Sequence, residues 1–223
     1  MKHLYLIRHA RAEGRKPGII GLYPPNAGLS PLGVMQAKSL RDRLVETNEM
    51  EVDFLVSSPL RRAIETAEII APALKRPILI DDGIQELNLG ECEGLTWEEA
   101  RKRFNYNELE HKPFHSIAPS AESQVLFAIR VCEAVDRLCR QYDGKVVVMV
   151  CHSGVIDMTF RYFLGLSITQ KQLPINFGAL ANTSITHLSK GTKGWSLLQF
   201  NDHLHLQGKK TKKLCENELI TDC

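Results

Sequence analysis

The sequence lacks a dominant charge: 28 Lys and Arg stand against 26 Asp and Glu over 223 residues, for a formal net charge of +2. That balance excludes the broad positive field with which nucleic-acid-binding proteins collect phosphates, so no nucleic-acid partner is expected. Long apolar runs are also missing. None approaches the roughly 20 residues that cross a bilayer, and the first ten residues run into charge before a signal-peptide core can form, so no membrane partner is expected either. The six cysteines, Cys92, Cys132, Cys139, Cys151, Cys215 and Cys223, form no CxxC pair and no regular framework. They read as free thiols suited to a reducing cytoplasm. There is no G-x-G-x-x-G after a strand, no G-x-x-x-x-G-K-[ST] and no HExxH, which argues against dinucleotide binding, P-loop chemistry and a helical zinc site. His111 and His115 straddle Pro113, which spoils a helical ligand pair. The expectation is an enzyme with no cofactor and no metal, or an interaction module.

What is present is a hydrophobic content of 43%, ample for a buried core. Residues 2–7 form a short strand-type run ending in Arg8-His9, followed by a Gly- and Pro-rich loop through Pro25. Ser30-Pro31 supplies an N-cap and an N1 proline, after which Val34, Ala37, Leu40 and Leu44 recur at helical spacing. Residues 52–56 read as a second strand, and Ser58-Pro59 repeats the cap signal before Leu60, Ala63, Ile64, Ala67, Ile70 and Leu74. A third short strand falls at residues 78–80. Thr96 to Glu99 has capping-box spacing and predicts a helix through Phe104, while residues 112–119 read as a loop. Val125, Ile129, Cys132, Val135 and Leu138 mark a long helix, and residues 145–151 are the most strand-like run of the chain. Residues 184–188 and 197–200, separated by Gly191 and Gly194, read as a hairpin.

Strands alternating with helices predict an α/β fold: a three-layer α/β/α sandwich around a mostly parallel sheet, with ligand bound beyond the carboxyl ends of the strands. That rim would collect Arg8 and His9 after the first strand, Arg61-Arg62 after the second, and His152 after residues 145–151. A neutral imidazole at His9 is a nucleophile if its other nitrogen is tied to a carbonyl or carboxylate. The forked donors of Arg8 and Arg62 match a tetrahedral oxyanion, and helix-opening amides near Ser58 and Ser153 add positive potential. His152 would give a further donor to the equatorial oxygens. Glu86, in a polar Gly-punctuated stretch, is the candidate for protonating the leaving group, helped to hold its proton by the negative charge of a bound phosphate.

Together these segments resemble the histidine phosphatase superfamily, also called phosphoglycerate mutase-like, over residues 4–206. Leu4 to His9 is similar to its R-H-G signature, with Ala10 where glycine is usual. Ser57-Ser58-Pro59-Leu60-Arg61-Arg62-Ala63 with Thr66-Ala67 is similar to the second signature, whose arginine precedes the alanine, which implies Arg62 rather than Arg61. Glu86 through Glu93-Gly94 resembles the third, whose first glutamate is the proton donor. His152-Ser153-Gly154 resembles the fourth, normally S-H-G-G. Glu122-Ser123 echoes the G-E-S segment before the long helix, and Asn182-Thr183-Ser184, Asn201-Asp202 and His205-Leu206 resemble the closing hairpin of the branch with broad-specificity phosphatases. Ala12 and Arg15 depart from the family pattern, which has threonine and a phosphate-contacting asparagine there. Arg15 or Lys16 is then left to meet an anionic part of the substrate, and Gly21 to keep the close backbone approach to phosphate.

The resemblance implies a phosphatase domain over residues 1–207, with a cap insertion at about 96–119 that sets specificity; residues 208–223 read by composition as a Lys-rich, disordered tail. The resemblance also implies a metal-independent phosphatase acting on a small phosphorylated metabolite through a phosphohistidine at His9. Substrate-binding residues are Arg8, Arg62, Gly21, Arg15 and Ser153. A cytoplasmic location is expected, and a homodimer is one open state of assembly. Two alternatives stay open: a phosphoglycerate-type mutase, and a catalytically silent module whose Lys209-Lys210 and Lys212-Lys213 tail binds an acidic partner. The mutase is disfavoured because Arg101, Lys102 and Arg103 read as a solvated helix face. The silent module is disfavoured because His9, Arg62 and His152 are all present.

Overall fold

The computed structural model describes residues 1–22, 24–104, 113–167 and 179–207. His111, residues 105–112 of the expected cap, Cys215, Cys223 and the Lys-rich segment 208–223 lie outside the described residues.

β1 (His3–Arg8) leads into α1 (Pro31–Thr47), β2 (Phe54–Ser57), α2 (Arg61–Leu74) and β3 (Ile78–Ile80). α3 (Trp97–Phe104) and α4 (Gln124–Gln141) follow, then β4 (Val146–Cys151), α5 (Ser153–Leu164) and the hairpin of β5 (Ile185–Gly191) and β6 (Gly194–Asp202). One sheet of six strands runs in the order β3-β2-β4-β1-β5-β6. Its first four strands pair in parallel, and β5 and β6 add an antiparallel edge. The chain is an α/β protein with a mostly parallel central sheet and helices around it.

The pleat divides the core. Leu4, Leu6, Val147, Met149 and Cys151 face α4 and α5, packing with Phe127, Val131, Val135, Val155 and Ile156. Tyr5, Ile7, Val148 and Val150 face α1 and α2, packing with Leu40, Leu44, Ala63, Ala67 and Ile70. β1 and β4 are buried on both faces, as the inner strands of such sheets are. This is why their runs read as continuous apolar stretches rather than as alternation.

The helix signals have physical counterparts. Ser30 Oγ accepts from the Gly33 amide at 3.1 Å with Pro31 at the first helical position. Thr96 and Glu99 close a capping box: the Thr96 amide donates to Glu99 Oε2 at 2.7 Å and the Glu99 amide to Thr96 Oγ1 at 3.2 Å. The cap signal at Ser58-Pro59 needs correction. α2 starts at Arg61, its N-cap position is Leu60, and no side chain caps it. Ser58 Oγ is instead 2.8 Å from His152 Nε2, because the short β2 ends at Ser57 and its exit loop crosses the end of β4. Loop 14–21 is tied to the segment before α3. The Ile20 amide donates to the Leu95 carbonyl and the Gly94 amide to the Ile20 carbonyl, and Ile20 packs in a small separate cluster with Cys92, Ala100 and Ala118.

Candidate active site

The parallel strands β1 and β4 are neighbours in register, pairing Arg8 with Cys151. The next residue of each, His9 and His152, therefore emerges at the same sheet end. Their rings lie 5.0 Å apart, centroid to centroid. α2 delivers Arg62 from its second residue, and α5 opens directly after His152. His9, Arg62 and His152 are all buried. The spatial convergence expected from strand ends is what the sheet order produces.

His9 is held at both nitrogens. Nδ1 is 2.7 Å from the Ala10 carbonyl, and Arg62 Nε donates to Nε2 at 3.3 Å. A carbonyl only accepts and a guanidinium only donates, so Nδ1 carries the proton and Nε2 keeps its lone pair. Burial, then the charges of Arg62 and Arg8, push the imidazole well below its usual 6.5, against the opposing pull of the Ala10 carbonyl. The ring is neutral at physiological pH. Its backbone is fixed too: the His9 amide donates to the Cys151 carbonyl at 2.9 Å, and Asn182 Nδ2 donates to the His9 carbonyl at 2.9 Å.

His152 is fully buried and held well below 6.5 by burial first, and by its charged neighbours after that. Nε2 pairs with Ser58 Oγ, which also accepts from the Leu60 amide at 3.3 Å. In the tautomer in which the hydroxyl donates to Nε2, the ring proton sits on Nδ1. Among the described residues Nδ1 is buried without a hydrogen-bond partner. Arg62 is buried, and burial lowers its pKa while Glu86 and Glu93 oppose that shift. Arg8 Nη1 donates to the Leu180 carbonyl.

Glu86 stands over the first turn of α5. Oε2 accepts from the Gly154 amide at 3.0 Å and lies 3.5 Å from Ser153 Oγ, while Oε1 accepts from the Leu87 amide at 3.0 Å. A carboxyl oxygen at a helix N-terminus satisfies amides that have no partner within the helix. Gly154 leaves room for that carboxyl group. A Cβ at that position would lie 2.3 Å from Glu86 Oε1.

The remaining sequence candidates are placed at the margin. Arg15 is exposed in the loop after β1, close enough that its charge depresses both His9 and Arg62. Gly21 is left-handed, at φ 69, and a Cβ there would sit 2.8 Å from Glu93 Cγ. Arg101, Lys102 and Arg103 are exposed on α3; Lys102 pairs with Glu98 and Arg103 with Glu91. His115 is exposed. The side-chain roles of Ser58 and Asn182 were missed. Ser58 had been absorbed into a helix cap, and Asn182 lies in a turn before the hairpin, where only the resemblance marked it.

A buried neutral histidine with Nε2 unprotonated, two guanidinium groups and a second buried imidazole define a phosphate-handling site. The chain belongs to the histidine phosphatase superfamily, branch 1, whose family model matches residues 4–203. It is 30% identical over 222 residues to a probable phosphatase of Schizosaccharomyces pombe, covering 95% of this chain and 98% of that one. It is 27% identical over 217 residues to a metal-independent phosphoserine phosphatase of Arabidopsis thaliana, covering 91% and 82%. Its fold matches the crystal structure of a phosphoserine phosphatase from Entamoeba histolytica in complex with phosphoserine, with a TM-score of 0.69, 26% identity and coverage of 92% of this chain and 100% of the other. The chain is a phosphatase of this superfamily.

Proposed function

We propose that the chain hydrolyses a small phosphate monoester in two displacements through a phosphohistidine at His9, with no metal required. The observation that carries this reading is the tautomer of His9: Nδ1–H is anchored on the Ala10 carbonyl and Nε2 is an unprotonated nucleophile. Arg8, Arg62 and His152 Nδ1 surround the phosphate with donors matched to its oxygens, and Arg15 and Ser153 supply further donors at the margin. His9 Nε2 attacks phosphorus as the P–O bond to the leaving group breaks. Glu86 gives that oxygen its proton, and the resulting carboxylate then takes a proton from water as water attacks the phosphohistidine. Gly21 keeps the loop after β1 narrow beside Glu93.

The substrate class follows the metal-independent relative and the phosphoserine-bound neighbour: a phosphate ester of a small hydroxylated acid. A panel of phosphoserine, 3-phosphoglycerate, a sugar phosphate, a nucleotide and p-nitrophenyl phosphate, assayed for phosphate release with EDTA present, tests this. EDTA-resistant turnover of an acid ester such as phosphoserine is expected. Turnover abolished by EDTA and restored by a divalent cation would contradict the reading, as would release confined to nucleotides.

A further inference from the structure

Glu86 sits in a loop just after the short 3-10 turn Asp82–Ile84, with no strand or helix of its own to fix it. Arg130 of α4 reaches across to that loop and bonds its backbone directly. Arg130 grips Glu122 with Nε at 2.9 Å and Nη2 at 2.7 Å. Nη1 donates to the carbonyls of Gly83 and Gln85, both at 3.0 Å, and Nη2 lies 3.5 Å from the carbonyl of Glu86 itself. The guanidinium carbon is 5.3 Å from the centroid of the Phe127 ring. Phe127 packs in turn beside Gly154, whose amide binds the Glu86 carboxylate. Glu122 is anchored at its own backbone, its amide donating to the Asn88 carbonyl at 2.9 Å. The loop is thus pinned on both sides of Glu86.

We propose that Arg130, braced by Glu122, is the positioning residue for proton transfer by Glu86. It touches no reacting atom. It sets the backbone from which the carboxyl reaches the leaving oxygen, and proton transfer tolerates only small errors in that distance. A fork is needed because one group must hold a carboxylate and several carbonyls at once, which the single ammonium of lysine does only in part. The inference rests on Glu86 being the proton donor.

The test compares kcat/KM for p-nitrophenyl phosphate, whose leaving group departs without a proton, with kcat/KM for the best alkyl ester of the panel, whose alkoxide needs one. This ratio covers only the steps through phosphoenzyme formation. Arg130→Met and Glu122→Gln are expected to lower it about 10- to 100-fold for the alkyl ester and less than about 3-fold for the nitrophenyl ester. Arg130→Lys should recover part of the loss, and it carries the test alone if Arg130→Met does not fold. Equal loss on both esters, or no loss on either, overturns the proposal. Glu86→Gln separates the two levels. If it shows the ester selectivity and the Arg130 variants do not, only this inference falls; if it slows both esters alike, the assignment of Glu86 falls and takes the inference with it.

Discussion

The floor of the site and the segment above it are built on opposite principles. His9, Arg62 and His152 are buried where β1, β4 and α2 meet, each fixed by partners from distant parts of the chain. The described part of segment 96–119 is largely exposed apart from Ala100 and Ala118, and its charged side chains bond mostly close by: Thr96 and Glu99 cap their own helix, and Lys102 pairs with Glu98 one turn away. Fixed dipoles in a dry pocket act strongly on developing charge, whereas solvated pairs contribute little. The contrast teaches where a substitution is felt: a change among the buried, cross-braced residues disturbs several partners at once, whereas a change in an exposed local pair disturbs only its neighbour.

The largest expected effect tests the floor. His9→Ala should reduce kcat at least about 10⁴-fold, since no second nucleophile stands at that position. Steady-state phosphate release measures it, and residual activity within about 100-fold of the intact protein would break the comparison. Next comes Gly154→Ala. Its methyl group would displace the Glu86 carboxylate, and a loss of about 100-fold in kcat/KM for alkyl esters is expected, with a smaller loss for p-nitrophenyl phosphate.

The pH dependence of stability sharpens the same contrast. His9 and His152 stay neutral in the folded protein well below 6.5, chiefly through burial, and burial with the charge of Arg43 holds His205 down at about 4. The unfolded chain protonates all three near 6.5. Below that pH it takes up protons that the folded state does not, so the stability held above about 6.5 is lost as pH falls toward the depressed folded values. Each buried histidine contributes a slope of about 1.4 kcal/mol per pH unit in that window. Urea midpoints at pH 7.5, 6 and 5 should fall steadily, and a flat or rising series would contradict the burial assigned to these rings. The smallest effect belongs to the upper segment. Lys102→Ala should change kcat/KM less than about 3-fold, because its charge is already committed to Glu98 in solvent.

Legibility in the sequence follows the same division. The inner strands and the positions of His9, Arg62 and His152 were readable because a parallel sheet forces residues after the strand ends onto one rim, whereas Glu86 was marked by its polar, Gly-punctuated stretch and the family pattern. Ser58 and Arg130 were not. The hydroxyl of Ser58 reaches His152 across 94 positions of sequence, and Arg130 acts on carbonyls 45 and 47 positions before it. Local spacing carries no trace of such contacts, and a Ser-Pro pair before a helix is the same signal whether the hydroxyl caps the helix or holds a ring. Arg15 and Gly21 lie in a loop whose geometry depends on Glu93 and on the segment before α3, so their roles could be inferred only from the family pattern.

The central claim is the covalent bond to His9. It is tested most directly by rapid-quench trapping with a ³²P-labelled ester in the presence of EDTA. The account predicts an acid-labile, alkali-stable phosphoprotein that forms within one turnover, maps to His9 and is absent from His9→Ala. Sustained hydrolysis with no phosphoprotein at any quench time, or label on any other residue, would contradict it.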